Sequence, residues 1–272
     1  MRLRSCPQSQ LMKHRSEPHT AWTQRGVLWV VFVLCVVSLP HMLHGQYRKW
    51  SVGASVGYNM LTLDGVDEKN QADADGWTRQ GYPVGTLSSV KNSPFYGLSV
   101  SYRYDREFGV SLAGSRWSKT VSALYNGPDA TLRLERGVGA TTVELGIAYY
   151  PSARPYFLDW YVQTTIGLAY GHATAKAAGY VMVKNGSLLV PQPFVDTDGE
   201  YNKSKLCAGL IVGADMAVAG GFFFHADAGY RFSQLGEMDG DVTQMGTRSV
   251  QTSTIDFNFS GFLLSAGIRY QL

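Results

Sequence analysis

Eight stretches of this 272-residue chain place apolar side chains at every second position, and the links between them are long and short in strict turn. A period of two belongs to extended strands whose two faces meet different surroundings. The stretches run Trp50 to Met60, Phe95 to Tyr104, Phe108 to Trp117, Val138 to Tyr150, Phe157 to Tyr170, Lys205 to Val218, Phe222 to Phe232, and about Thr254 to the C-terminus. Their connections take roughly 30, 3, 20, 5, 34, 3 and 20 residues in that order. Asp105, Arg106 and Glu107 form one short link and Ala219, Gly220 and Gly221 another, and links of that length make hairpins.

A soluble sandwich has no reason to gather every long loop at one end, whereas a membrane barrel has short turns at one end and long loops at the other. Strands of about nine to eleven residues also match a tilted bilayer crossing. In the second stretch Tyr96, Leu98, Val100, Tyr102 and Tyr104 share one face, against Ser99, Ser101 and Arg103. The apolar faces end in aromatic residues at two levels, with Tyr102, Tyr104, Phe108, Tyr149, Trp160, Phe222 and Tyr270 near the short turns. Tyr58, Tyr96, Tyr170, Tyr230 and Phe232 lie near the long loops. Such girdles mark the two edges of a hydrocarbon layer. The pattern predicts an all-β fold, an eight-stranded antiparallel up-and-down transmembrane β-barrel with short periplasmic turns and long extracellular loops. A soluble lipocalin-like barrel, the alternative, would bury the apolar face and show water a surface of Ser, Gly and Thr.

The same register turns Arg103, Glu144, Asp159, Asp215, His225, Asp227, Arg231 and Arg269 inward. A bare charge facing lipid costs roughly 2–4 kcal/mol at mid-bilayer, so hydrophobicity and charge select one parity. The expected result is an ion-pair network in the lumen, because buried charges persist when paired. A turn centred on Gly220 puts Asp215 across from His225, and Arg269 lies on the strand beside the one that carries Asp227. Two histidine dyads are candidates for chemistry, His172 with Asp196 or Asp198 and His225 with Asp215, but no partner Ser lies in a recognisable motif. No enzymatic activity is expected. A pore is the third reading, although eight strands enclose an interior that side chains just fill.

Two long loops invite closer reading. In Tyr180 to Val190, Asn185-Gly186 between apolar runs predicts a type I′ hairpin projecting past the membrane, which leaves ten strands open as a count. Asp73 and Asp75, Asp196 and Asp198, and Asp239 and Asp241 stand at alternate positions near Gly. Such pairs suit solvated turns, and none offers the oxygen ligands of a complete calcium loop. No metal or cofactor is therefore expected.

Arg2, Arg4, Lys13, Arg15 and Arg25 precede an apolar run from Gly26 to Leu39. Basic residues before about a dozen apolar ones read as a secretory signal, too short to span a bilayer as a helix. The chain divides accordingly into a cleaved leader, residues 1–45, and a barrel domain, residues 46–272, with Met12 as a second candidate start. Cys35 follows Leu34, unlike a lipoprotein acceptor. Cleavage near Gly45 and Gln46 leaves 19 basic against 20 acidic residues, and a nucleic-acid partner loses its electrostatic basis. Only Cys207 remains in the mature chain, so an intrachain disulfide is excluded.

The chain ends on SAGIRYQL, whose Ser265, Gly267, Tyr270 and Leu272 fit the C-terminal signal of outer-membrane proteins, with Leu272 in place of the usual aromatic residue. On these residues and the strand pattern over Gln46 to Leu272, the sequence resembles the small eight-stranded outer-membrane barrels, the OmpA/OmpX-like group and particularly the PorT-like barrels. The resemblance implies a multi-pass protein of the bacterial outer membrane, with both termini periplasmic. It implies contact with membrane lipid and lipopolysaccharide, and recognition of the last strand by the outer-membrane assembly machinery. It also implies a structural or interaction role, for the PorT-like group in type IX protein secretion with secretion-system subunits as partners. Rival roles are a small-solute channel, a surface adhesion or envelope-integrity barrel, and a lipid-modifying enzyme. Ile255, Phe257 and Phe259 break the parity of the last stretch, which predicts either a β-bulge near Ser260-Gly261 or an aromatic cap inside the outer mouth.

Overall fold

The computed structural model describes residues 49–151, 158–185, 188–253 and 255–272. The leader, its cleavage site and the Gly186 half of the expected hairpin turn lie outside the described residues. Along the chain come β1 (Lys49–Leu61), helix α1 (Asp64–Arg79), β2 (Asn92–Arg103), β3 (Phe108–Asn126), β4 (Ala130–Tyr149), β5 (Leu158–Asn185), β6 (Leu188–Ala219) and β7 (Phe222–Phe232). After them come the short strands β8 (Gln234–Gly236), β9 (Asp239–Gln244), β10 (Thr247–Thr252) and β11 (Phe257–Asn258), then β12 (Gly261–Gln271).

Strands β1 to β7 each pair antiparallel with the next in the chain, β7 pairs with β12, and β12 returns to β1. The ring is closed, so no edge N–H or C=O is left to face an apolar surrounding. Eight strands make the barrel. The two added to the same sheet, β9 and β10, continue from the upper part of β6 through Thr197↔Gln244 to Asn202↔Asp239 and lie outside the ring. At the tight link between β6 and β7, Gly220 and Gly221 hold φ of 57° and 85°. Two consecutive positive φ values make a type I′ turn, whose twist matches the strands it joins.

Outside the ring Val56, Leu98, Leu145, Ile166, Leu206 and Phe262 are 61% to 70% exposed. An apolar belt of this extent is unfavourable against water and stabilised in hydrocarbon, which makes the barrel transmembrane and excludes the lipocalin-like alternative. Aromatic rings edge the belt: Trp50 stacks on Tyr102 at 4.5 Å, and Phe222 lies 4.8 Å from Tyr270. At the other edge Tyr230 meets Phe232 at 4.7 Å and Phe262 at 5.0 Å.

Three departures from the sequence reading share one cause. β5 and β6 run for 28 and 32 residues, far past the roughly ten that a crossing needs. Their expected separate hairpin is simply the far end of these two strands, paired as Asn185↔Leu188. The link after β1, expected as a loop, contains α1, and the last barrel strand starts at Gly261 rather than near Thr254. In each case, chain beyond the membrane folds onto itself to bury apolar surface. Ala123, Leu132, Leu134 and Ala177 on the extended strands pack with Ala74 and Val84, and Trp77, Tyr82 and Phe194 close over them.

Helix α1 forms for local reasons as well. Asp64 and Asp67 sit in its first turn and Arg79 in its last, complementing the helix dipole. Lys69 pairs with Asp73 four residues on at 2.8 Å, and Gln71 donates to Asp75 at 2.8 Å. Its buried side is Val66, Asn70 and Ala74, at the helical spacing of four. Asp67 accepts from the Val90 amide at 2.9 Å, and Arg136 of β4 reaches Asp73 at 3.0 Å, so the helix is tied down over the mouth.

Candidate functional site

The barrel interior has two storeys. Near the short turns it holds a polar cavity of about 570 Å³. One side of that cavity is a wall of small residues from β1, β2 and β3, including Ser51, Ser55, Ser99, Ser101, Ser111 and Ala113. The other side, from β4 to β7 and β12, carries most of the charges, and Arg103 at the end of β2 reaches across to it. Small side chains on one wall explain the free space, since an eight-stranded barrel is otherwise filled by its own residues.

Arg103 bonds Asp159 at 2.5 Å, and also donates to the carbonyl of Arg106. Arg269 bonds Asp215 at 2.5 Å. Arg231 Nε lies 2.7 Å from Glu144 Oε1, an ion pair by distance although the N–H is not aligned for a hydrogen bond, and Thr165 donates to the other Glu144 oxygen at 2.9 Å. Asp227 accepts from the Tyr161 hydroxyl at 2.5 Å and from Ser265 at 3.2 Å, with His225 Nε2 at 4.0 Å. All eight inward residues therefore share this lower storey. Each of Arg103, Arg231 and Arg269 forms an ion pair with a carboxylate across the lumen, which tethers strands that are not neighbours in the sheet.

Neither histidine dyad forms. His225 stands opposite Asp215 in register, but Asp215 is engaged by Arg269 and the carboxylate nearest His225 is Asp227. His172 is registered with Asn202, while Asp198 sits opposite Lys176 and Asp196 opposite Ala178. Four or more strand positions separate His172 from either carboxylate.

Asp73, Asp75, Asp198, Asp239 and Asp241 are engaged within the fold, and the turns assigned to the three pairs are replaced by a helix and strands. Asp73 and Asp75 lie in α1, Asp196 and Asp198 in β6, and Asp239 and Asp241 in β9. Asp198 holds Lys176 at 3.1 Å and keeps that ammonium above its ordinary pKa. Arg248 bonds Asp241 at 2.5 Å and holds its carboxyl below the ordinary range, while Thr252 donates to Asp239 at 2.7 Å. Among the described residues no group of three or more His, Cys, Asp or Glu is placed to hold a metal ion.

Above the cavity the second storey is apolar. Phe95, Trp117, Val121, Val138, Ala169, Leu263 and Cys207 from the wall meet Leu63, Val66 and Val90 from the first long connection and Leu235, Met238, Phe257 and Phe259 from the last. Phe259 packs edge-on against Trp117 at 5.2 Å. Of the two expectations for the parity break, the aromatic cap is the one realised: Phe257 and Phe259 are 3% and 2% exposed inside the mouth. The Ser233 amide donates to Ser260 Oγ at 2.9 Å and the Phe259 amide to the Ser233 carbonyl at 2.8 Å, so the chain is bonded in place as it enters β12.

No protein-family model matches the chain, and no curated protein matches it. Among solved structures it is similar to Ail, the attachment invasion locus protein of Yersinia pestis, at 14% identity and a TM-score of 0.38 over 84% of this chain and 100% of that one. A major outer membrane protein from Thermus thermophilus gives 14% identity and a TM-score of 0.46, again over 84% and 100%. OprG from Pseudomonas aeruginosa gives 13% identity and a TM-score of 0.38 over 84% and 97%.

The C-terminal residues close the ring. Gly267 fits only without a side chain, since a methyl there would strike the Ala54 carbonyl and the His225 ring. The Tyr270 ring meets Phe222, and the Leu272 amide donates to the Trp50 carbonyl at 2.8 Å. Sequence reasoning missed Tyr150 and Tyr161, which line the lower storey: the Arg103 guanidinium lies 3.9 Å above the Tyr150 ring and Arg269 lies 5.7 Å from that of Tyr161. Tyr161 shares the parity of Asp159 and Gln163, so the signal was present in the strand pattern.

Proposed function

We propose that this protein is a bacterial outer-membrane barrel that acts as a structural or interaction subunit through its folded crown, and that it does not conduct solutes. The observation that carries this reading is the apolar storey, where Trp117, Phe259, Leu235 and Met238 fill the lumen above the polar cavity. A cavity that ends blind against packed hydrophobic side chains gives ions no continuous hydrated path. Planar-bilayer recording of the purified barrel tests it: no stepwise conductance is expected, and steady single-channel steps would overturn it in favour of a small-solute channel.

In this reading residues 1–45 are an export leader that is removed, both termini of the mature chain are periplasmic, and the crown faces outward. Export in this direction accords with short periplasmic turns and longer outer loops. Ser265, Gly267, Tyr270 and Leu272 would serve the assembly machinery as its recognition strand, and lipopolysaccharide would surround the outward half of the belt. Deletion of Leu272 is expected to lower the yield of inserted barrel several-fold, measured as the heat-modifiable band in outer-membrane fractions. The lumen network of Arg103, Glu144, Asp159, Asp215, His225, Asp227, Arg231 and Arg269 is assigned a structural role.

A PorT-like part in type IX secretion is the finer form of the proposal, and it rests on the sequence resemblance. Native co-purification with secretion subunits in mild detergent would support it. Unimpaired export in a deletion strain would overturn it and leave an adhesion or envelope-integrity role for the crown.

A further inference from the structure

Among the described residues, the far end of the β5–β6 ribbon carries apolar side chains on both faces and has no neighbouring strand. Pairing with β4 stops at Ala130↔Val181, and β9 reaches only Thr197 to Asn202. Beyond those points Met182 and Leu189 lie on one face, and Val183, Val190 and Leu188 on the other, by the alternation of the pairs Met182↔Pro191 to Asn185↔Leu188. Leu188 and Leu189 are 69% and 67% exposed, as bare as the residues of the lipid-facing belt.

This tip is not part of the barrel's own belt. From Tyr170 at the girdle to Met182 the chain advances about 40 Å along the strand. The outward positions from His172 to Lys176 are polar, with His172, Thr174 and Lys176 on β5 beside Asp198, Glu200 and Asn202 on β6. A second apolar zone, beyond a polar collar, therefore faces something other than the membrane the barrel spans.

Three features choose among occupants. A groove on a folded protein covers one side of a ribbon, while a lipid phase surrounds it, and both faces here are apolar. Pro191 and Pro193 lack the N–H groups that an added strand would use, so the β6 edge is blocked against pairing with another chain. Between Ala177 and Val195 the ribbon has no carboxylate and one ammonium, Lys184, beside the leucines. That is the arrangement of segments that seat apolar side chains among acyl chains with a cation at the phosphates.

We infer that the ribbon tip docks into a second lipid surface, an anionic bilayer apposed to the one the barrel spans. The inference rests on the outward-facing crown proposed above and names what that crown touches. Insertion of Leu188, Leu189 and Met182 among acyl chains supplies the attraction, and Lys184 meets lipid phosphate.

The test uses the full barrel reconstituted in phosphatidylcholine vesicles with the crown outside, mixed with protein-free fluorescent vesicles that contain phosphatidylglycerol, and reads co-flotation. The unaltered barrel is expected to capture the fluorescent vesicles. Leu188→Asp with Leu189→Asp should reduce capture about tenfold, and Lys184→Gln about twofold, with the smaller effect vanishing at high salt. Heat-modifiable mobility of each variant reports folding separately: a chain that fails to insert defeats the barrel reading. An inserted barrel that captures no vesicles, or a double variant that captures as well as the parent, overturns the lipid inference alone.

Discussion

The lower and upper storeys of one barrel solve the same packing problem with opposite chemistry. Below, small residues on one wall leave room that ion pairs bridge. Above, aromatic and aliphatic side chains from the wall and from the first and last long connections fill the bore. The difference lies in what each storey stabilises. Arginine-carboxylate bridges fix distances between strands within the ring, whereas the apolar storey ties the loops and α1 to it. Buried pairs contribute geometry more than net free energy, because desolvation offsets most of their attraction, while buried rings contribute directly through the area they remove from water.

The largest effect should follow from breaking the upper storey. Trp117→Ala and Phe259→Ala each remove a buried ring and are expected to cost about 3–5 kcal/mol, less than additively together because the two rings touch. Denaturant unfolding of the refolded barrel in detergent measures the loss. The double variant should also conduct in planar bilayers, and silent bilayers with an intact fold would show that other residues close the bore.

Next in size is the lower storey. Glu144→Ala strands Arg231 in a buried site, which typically costs about 3–5 kcal/mol, and adding Arg231→Met should restore most of it. Recovery would separate this storey from the upper one, where a second deletion adds damage. If the double variant is no better than Glu144→Ala, the pair holds more than its own charge balance.

The two storeys also differ in how far they can be read from sequence. Parity alone assigned Arg103, Glu144, Asp159, Asp215, His225, Asp227, Arg231 and Arg269 to the inside, since a strand's period is two and a membrane penalises error on either face. Tyr161 was readable by the same rule. Leu63, Val66, Leu235, Met238 and Val90 were not, because they come from connections without a period and acquire partners only when those connections fold back over the mouth. Helix α1 was hidden for a related reason: its buried side includes Asn70 and a single bulky aliphatic, Val66, and its DADG stretch has the composition of a turn. The extended β5 and β6 were cut short because their upper residues lose the apolar outer face that marks a crossing, while their inner face stays buried under α1.

A smaller change sharpens the boundary between storeys. Gly171 on β5 faces the apolar side chains, and a Cβ there would meet Leu235, Phe259 and Met238. Gly171→Val is expected to cost about 1–3 kcal/mol by overpacking and to loosen β11 before the ring. Hydrogen exchange should then quicken at the Phe259 amide while the amides of β1 and β12 stay protected. Uniform quickening would mean that the upper storey and the ring unfold as one unit.

The smallest effect concerns the outer wall at the level of the apolar storey, where charge sits on the outside instead of the inside. His172, two residues beyond the girdle residue Tyr170, has its ring against Gly139. Burial, and then the neighbouring Arg116 guanidinium, hold its pKa below the ordinary histidine value of 6.5. The folded state thus binds the proton less readily than the unfolded chain. Stability from this group is complete above the unfolded pKa and is lost as pH falls through the window beneath it. Arg116→Gln removes the second cause and leaves the first, so the imidazole midpoint read by NMR should rise without reaching 6.5. A midpoint that does not move would leave burial as the sole cause, and this wall would then owe its neutrality to packing, like the storey inside it.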